Sequence, residues 1–232
     1  KIDSAGEYVY HVSAVTADQT LWADAGHEIA FAQEVFEVKD DQIPETTLQK
    51  PTIVYGDVII GVHGENFSMM FDKKEGGISS LKYNGFEKQL CNFQYYGLGP
   101  DENYSDRCKG ARLGLWKSTA KENLSGYLNP QECGNRTGVR KLSVHDDMQH
   151  GLTFQKASAP FEMSVLPYSA YELENAMHLD ELPSVRYTWV RIAVKQMGVG
   201  GDDSWGASVH EEYRIHVDQP MKLEFVIMPL RS

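Results

Sequence analysis

Between Gly198 and Val209 the chain reads GVGGDDSWGASV, with two adjacent carboxylates and a tryptophan set among glycines. Paired carboxylates do acid–base or nucleophilic work when they face one another across a reacting bond. Asp202 and Asp203, like Glu211 and Glu212, are instead neighbours in sequence. In an extended segment neighbours point to opposite faces, so neither pair can hold one substrate from two sides. Asp202 and Asp203 read better as turn-formers whose side chains accept from backbone amides. The glycines look like a phosphate loop, but no helix follows them, and no Ser-His-Asp order or dinucleotide fingerprint occurs elsewhere. Trp205 then stands out, a large aromatic ring in the most turn-prone part of its neighbourhood. It is either a plug between sheets or a ring held out on a loop for another surface.

Two other stretches are dense in polar residues, YYGLGPDENYSDRCKGARLGLW (Tyr95 to Trp116) and YLNPQECGNRTGVRKL (Tyr127 to Leu142). Glu102, Asn103, Asp106, Arg107, Gln131, Glu132, Asn135, Arg136 and Arg140 can form a buried hydrogen-bond network. Arginine–carboxylate pairs contribute most when bidentate and shielded from water. Such a network either orders long loops or acts directly in chemistry, and the ordering role is favoured. Cys91, Cys108 and Cys133 make no CxxC and no Cys/His cluster with zinc spacing, so no metal site is expected in this chain. Three cysteines leave at least one thiol unpaired, and free thiols fit a reducing, cytoplasmic compartment.

The elements that position these residues read as short strands separated by turns. The 232 residues are 41% hydrophobic and 11% aromatic, enough to bury a sizeable core. Twenty-two Lys and Arg against 33 Asp and Glu leave a net charge of -11, which argues against nucleic acid as a partner. No apolar run approaches the ~20 residues of a membrane span, so no membrane partner is expected. No signal peptide stands at Lys1, and the chain opens almost directly in a strand, like a piece of a longer chain.

Strands are expected at Glu7 to Val15 and His27 to Val38, and a linker at Lys39 to Pro51. More strands follow in Thr52 to Gly85, broken near Gly56, Gly64 and Gly76. Further strands are expected at Gly138 to His145, Leu152 to Lys156, Phe161 to Leu166, Tyr187 to Lys195, Val209 to Val217 and Met221 to Met228. Only Ser169 to Leu182 has helical spacing, with Ser169 as its N-cap. Turns at this frequency with almost no helix indicate an all-β sandwich.

GLGPDENYSDR, PQECGNRTGVR and GVGGDDSWGASV resemble the C-terminal signature segments of the large bacterial β-galactosidases of glycoside hydrolase family 2. TLWADAGHEIAFAQ (Thr20 to Gln33) resembles the end of the immunoglobulin-like domain that precedes that C-terminal domain. IVYGDVIIGVHGENFSMMFDKKEGGISSLKYNG resembles the start of the C-terminal domain itself. The resemblance runs over nearly the whole chain in family order. It implies an antiparallel β-sandwich of the galactose-mutarotase-like kind over residues 49–232, preceded over residues 1–48 by the last strands of an immunoglobulin-like sandwich and a linker. The resemblance further implies that Trp205 reaches into the galactoside pocket of a catalytic TIM barrel and covers the apolar face of the sugar. Glu102, Asp106, Arg107, Glu132, Arg136, Arg140, Asp202 and Asp203 would order the surrounding loops.

The family's catalytic glutamates lie in the barrel, so no residue of this chain is expected to be catalytic and the chain alone should be inactive. The longer enzyme is expected to bind Mg and Na and to be a homo-oligomer. The sequence departs from the family after LKYNGFEKQL, where well over a hundred family residues have no counterpart between Leu90 and Cys91. EKQLCNFQYY offers no two-residue turn signal, so no tight hairpin is expected there. Rival readings are a stand-alone carbohydrate-binding module, a mutarotase-like epimerase and the small subunit of a two-chain β-galactosidase. The epimerase needs a histidine and a glutamate converging on one face, which the sequence does not pair.

Overall fold

The computed structural model describes residues 4–38, 49–83, 90–99, 112–124, 129–198, 200–203 and 205–230. The chain divides into two compact units, residues 1–10 with 34–88, and residues 11–33 with 89–232. Strands β1 (Gly6–Val15) and β2 (Glu28–Val38) pair as a two-stranded ribbon. Most of the expected linker, 39–48, lies outside the described residues.

Strands β3 (Thr52–Tyr55), β4 (Ile59–His63), β5 (Phe67–Asp72) and β6 (Gly77–Tyr83) form a four-stranded antiparallel meander in chain order. The breaks fall at the glycines that the sequence marks. Gly56 N–H donates to Ile59 O and Gly64 N–H to Phe67 O, each at 2.9 Å. The register sets Ile53, Val62, Met69 and Leu81 in one row across the sheet. Tyr55, Ile60, Phe71 and Ile78 form a parallel row two residues along, on the same face. The opposite face carries Thr52, His63, Ser68 and Lys82 in one row and Val54, Gly61, Met70 and Ser80 in the next. No residue from 49 to 83 is buried.

The second unit holds the core. Strands β7 (Asn92–Gly97), β8 (Gly114–Thr119), β10 (Lys141–His145), β11 (Gly151–Lys156) and β14 (Phe225–Leu230) form one sheet in the order β14-β11-β10-β7-β8. Strands β9 (Arg136–Val139), β12 (Phe161–Leu166) and β13 (Trp189–Ala193) form a second sheet in the order β13-β12-β9. Phe93, Tyr95, Leu142 and Val144 of the first sheet pack with Val139, Phe161, Met163 and Val165 of the second in one buried cluster. Two antiparallel sheets around one core make a sandwich, as expected. Tight burial of alternate residues from both sheets is its main stabilising term.

Four expectations about elements change. The single strand expected from Gly138 to His145 is two, β9 and β10, one in each sheet. The strands part at Arg140; within β9, Gly138 has φ +58 and a Cβ there would stand 2.7 Å from the Leu98 side chain, so this bend requires glycine. Val209 to Val217 is not a strand, because Tyr213 and Arg214 amides donate three residues back to His210 and Glu211, making a 3-10 turn over Glu211–Tyr213. The helix beginning at Ser169 is only α2 (Ala170–Glu174), followed by a 3-10 turn at Leu179–Glu181. Its capping box forms between Ser169 and Glu172, but of its apolar positions only Leu173 is buried. Three elements that the sequence reading omits lie within or beside the segment it took for polar loops, strands β7 and β8 and a short helix after them, α1 (Ala120–Leu124). No hairpin joins Leu90 and Cys91, since β6 and β7 lie in different sheets.

Candidate functional site

Strand β12, FEMSVL, is buried at every position. Phe161, Met163 and Val165 enter the sandwich core, so alternation places Glu162, Ser164 and Leu166 on the other face. A carboxylate there needs partners, because an uncompensated buried charge is strongly destabilising. Glu162 Oε2 accepts from Asn135 Nδ2 at 2.9 Å and from the Gln196 backbone N–H at 2.7 Å. The Gln196 side chain extends the network. Its Nε2 donates to Glu132 Oε1 at 2.9 Å, and its Oε1 accepts from Arg191 Nη1 at 3.1 Å. Arg191, beside Ser164 in the register, also ion-pairs with Glu132. Burial pulls the Arg191 guanidinium below its ordinary value, though a group this basic stays charged.

A second knot adjoins the first. Arg136 Nη2 donates to Asn123 Oδ1 at 2.6 Å, and Nη1 to Asn135 O at 3.3 Å. Asn123 Nδ2 in turn donates to Gly134 O and Val165 O. Gly134 has φ +73, and a Cβ there would meet the Asn123 amide at 2.2 Å, so this contact requires glycine. The segment PQECGNR is thereby pinned against the outer face of the three-stranded sheet.

Of the residues expected to order the loops, Glu132 and Arg136 belong to these two knots. Arg140 stands apart at the crossing between sheets, where Nη1 donates to Gly138 O at 3.3 Å. Glu102, Asp106 and Arg107, with Asn103, lie outside the described residues. The sequence reading omits Asn123, Glu162, Arg191 and Gln196. Glu162 had a signal, a lone charge inside an otherwise apolar strand; Gln196 had none.

Gln196 is also the root of the loop that opens toward Trp205. Asp203 Oδ1 accepts from the backbone N–H of Trp205 at 2.7 Å and of Ala207 at 3.3 Å. This is the amide-accepting turn expected of the aspartates. Asp202 Oδ1 instead meets His210 Nε2 at 2.9 Å. Gly201 lets the loop close on itself, since a Cβ there would stand 2.3 Å from Ala207 O. Trp205 is 91% exposed, so within this chain it is not a plug between sheets. The two bonds to Asp203 close a turn from which the ring faces outward.

A shallow depression of about 470 Å³ on the five-stranded sheet is lined by His145, Asp147 and Glu122 among other polar side chains. A histidine and carboxylates therefore do share a face, but the carboxylates have structural partners. Glu122 accepts from Thr119 N–H at 2.9 Å and Asp147 from Asn92 Nδ2 at 2.8 Å. The Thr119 amide, then the Ser118 hydroxyl, holds Glu122 below the usual carboxylate range, the opposite of what a general acid near neutral pH needs. Among the described residues no group of three His, Cys, Asp or Glu is placed to hold a metal ion. Neither Cys91 nor Cys133 is in a disulfide, and Cys108 lies outside the described residues. Among the described residues no helix is long and apolar enough to cross a membrane.

Fold and site together define an all-β sandwich whose outer polar layer anchors an aromatic loop. Residues 85–227 match the family described as beta galactosidase small chain, and residues 1–37 match beta-galactosidase domain 4. The chain belongs to the β-galactosidase small-chain family. It is similar to a β-galactosidase of Halalkalibacterium halodurans, 32% identical over 97% of this chain and 33% of the relative. It is also similar to β-galactosidase BgaC of Bifidobacterium adolescentis, 44% identical over 65% of this chain and 15% of the relative. A β-galactosidase small subunit of Latilactobacillus sakei is 38% identical over 66% of this chain and 52% of its own length. The chain spans about a third of the length of the curated β-galactosidases that it matches end to end.

Proposed function

We propose that this chain is the C-terminal part of a retaining β-galactosidase of glycoside hydrolase family 2, acting on terminal β-D-galactosides such as lactose. Its contribution is to complete the galactoside pocket of a catalytic TIM barrel with Trp205 and to support assembly of the enzyme. The observation that carries this reading is the Trp205 loop. The ring is exposed, its backbone is fixed by Asp203, and the loop root is clamped at Gln196. An aromatic ring held so can lie against the apolar face of a pyranose.

Retaining hydrolysis needs an acid/base carboxyl and a nucleophile roughly 5 Å apart on either side of the bond. The described carboxylates of the site are hydrogen-bonded to amides, amide side chains, an arginine or a histidine. The catalytic glutamates are therefore assigned to the rest of the enzyme. So are Mg and Na. The expected setting is a cytoplasmic homo-oligomer. Residues 1–48 are read as the tail of an immunoglobulin-like domain with its linker, and 49–232 as the C-terminal sandwich lacking an internal segment between Leu90 and Cys91. The L. sakei relative favours a second reading of the assembly, in which this region belongs to a small chain that associates with a larger catalytic subunit.

The purified chain should not hydrolyse a chromogenic galactoside above the buffer blank. Turnover that survives repeated purification and vanishes when a carboxylate within 1–232 is replaced would overturn the proposal.

A further inference from the structure

The outer face of the five-stranded sheet is polar across its middle strands. Thr119, Asn92 and His145 align in one row, and Lys117, Gln94, Ser143 and Thr153 in the next. Phe93 and Val144, between those rows, enter the core instead. A polar face is ordinary where a sheet meets water, so polarity alone marks no site. His145 is the exception. It lines the depression of about 470 Å³, yet it is only 6% exposed. Its Nδ1 lies 2.8 Å from Asp146 O. A carbonyl oxygen only accepts, so Nδ1 carries the proton and Nε2 of the neutral ring presents a lone pair. Among the described residues no donor meets that nitrogen. Buried polar atoms are nearly always paired, so this acceptor calls for a donor that enters the depression.

The rim adds a second observation. Gln149 has φ +63, and among the described residues no other non-glycine residue has a positive φ. Asp146 holds the turn in this form. Its Oδ1 accepts from the Met148 and His150 N–H groups at 2.9 Å each, and its backbone O from Gln149 N–H at 3.1 Å. Left-handed backbone is unfavourable for glutamine, and residues held in it gather at ligand sites. Glycine would satisfy the turn better, whereas glutamine sets an amide at the edge of the depression.

Around His145 the depression places donors beside acceptors. The amides of Gln94 and Gln149 offer both, the Lys117 ammonium only donates, and ionised Asp147 and Glu122 only accept. Two carboxylates against one ammonium disfavour an anion. A hydroxyl group donates to an imidazole and accepts from an amide or ammonium, so a neutral polyhydroxylated molecule satisfies the whole set. The volume falls among small-ligand clefts, roughly 300–1,000 Å³. We propose that this depression binds a neutral polyol of pyranose size, one hydroxyl donating to His145 Nε2 and others meeting Gln94, Lys117 and Gln149. It is a binding site, with no catalytic step assigned to it. The proposal does not rest on Trp205, whose loop follows β13 in the other sheet.

The test titrates the 232-residue chain with methyl β-D-galactopyranoside and, separately, with inorganic phosphate. NMR reads the ring nitrogens of His145 and the backbone amides of Gln94 and Lys117. The glycoside should shift Nε2 and both amides saturably, with a dissociation constant on the order of millimolar, and phosphate should not. Gln149→Gly removes the amide and relieves the left-handed backbone. Its affinity should fall about fivefold while its thermal midpoint holds or rises. His145→Phe should abolish binding, and Gln149→Gly keeps the test valid if that variant misfolds. No saturable shift below ~100 mM glycoside would overturn the proposal, since the imidazole would then serve only water. So would glycoside binding that leaves Nε2 unmoved or that is unchanged in Gln149→Gly. A phosphate-driven shift of equal or higher affinity would also overturn it, since the ligand would then be an anion.

Discussion

Asp203 holds Trp205 through the backbone and not through the ring. One of its carboxylate oxygens, Oδ1, accepts from two loop amides, of Trp205 and Ala207. Removing that acceptor leaves the ring in place but lets its loop sample other conformations, which adds an ordering cost to binding. Asp203→Ala should therefore weaken galactoside binding by the full-length enzyme about fivefold, the effect of roughly 1 kcal/mol. Combined with loss of the Trp205 ring it should add nothing further, since residues acting as a unit are not additive. Full additivity in binding measurements would show that Asp203 acts elsewhere. Glu162 belongs to the fold itself. Glu162→Ala strands the Asn135 amide and the Gln196 N–H in a buried site, at ~3 kcal/mol for two lost partners. Glu162→Gln keeps an acceptor and should cost less. Urea denaturation of both variants measures this, and a change under ~0.5 kcal/mol for the alanine would contradict the network.

At the scale of elements, α1 is held by a charge. Thr119 N–H and Ser118 Oγ donate to Glu122, and Thr119 Oγ1 accepts from Glu122 N–H. These bonds favour the ionised form, so Glu122 titrates below its ordinary value of 4.5 in the folded chain. A carboxylate depressed in this way stabilises the folded state above its ordinary value and loses that contribution as pH falls through the folded value. Amide exchange at Thr119–Asn123, once corrected for its intrinsic rate, should be steady from neutral pH down to the ordinary carboxylate value of 4.5 and should rise as pH falls through the lower folded value. Glu122→Gln should flatten the profile, and an unchanged rise in that variant would assign the effect to another group.

The strands were the legible part of the sequence. Phe161–Leu166 is bounded by polar and turn residues, and alternation together with β-branched content marks most of the others. Alternation misleads where a local bond competes. At His210–Arg214 the backbone bonds three residues back, and at Gly138, inside β9, a positive φ bends the chain just before the break at Arg140 that the side-chain pattern runs across. The polar network was half legible. Glu132 and Arg136 stand in a visibly polar segment, but their partners Asn123, Arg191 and Gln196 come from distant segments that only the sandwich brings together.

At the scale of the whole molecule, the chain covers about a third of the relatives that it matches end to end, and the proposed function assigns the exposed Trp205 ring to a pocket in the rest of the enzyme. The ring can remove ~40 Å² of apolar surface from water when it covers a sugar, about 1 kcal/mol. Trp205→Ala in the full-length enzyme should then weaken equilibrium binding of a galactoside about fivefold to tenfold. Because a ring that is 91% exposed leaves no core cavity, the thermal midpoint of the same variant should barely move. Measuring both quantities on that one variant is the most direct test. Weakened binding at an unchanged midpoint is the predicted result, and unchanged affinity would contradict a role for Trp205 in the sugar pocket.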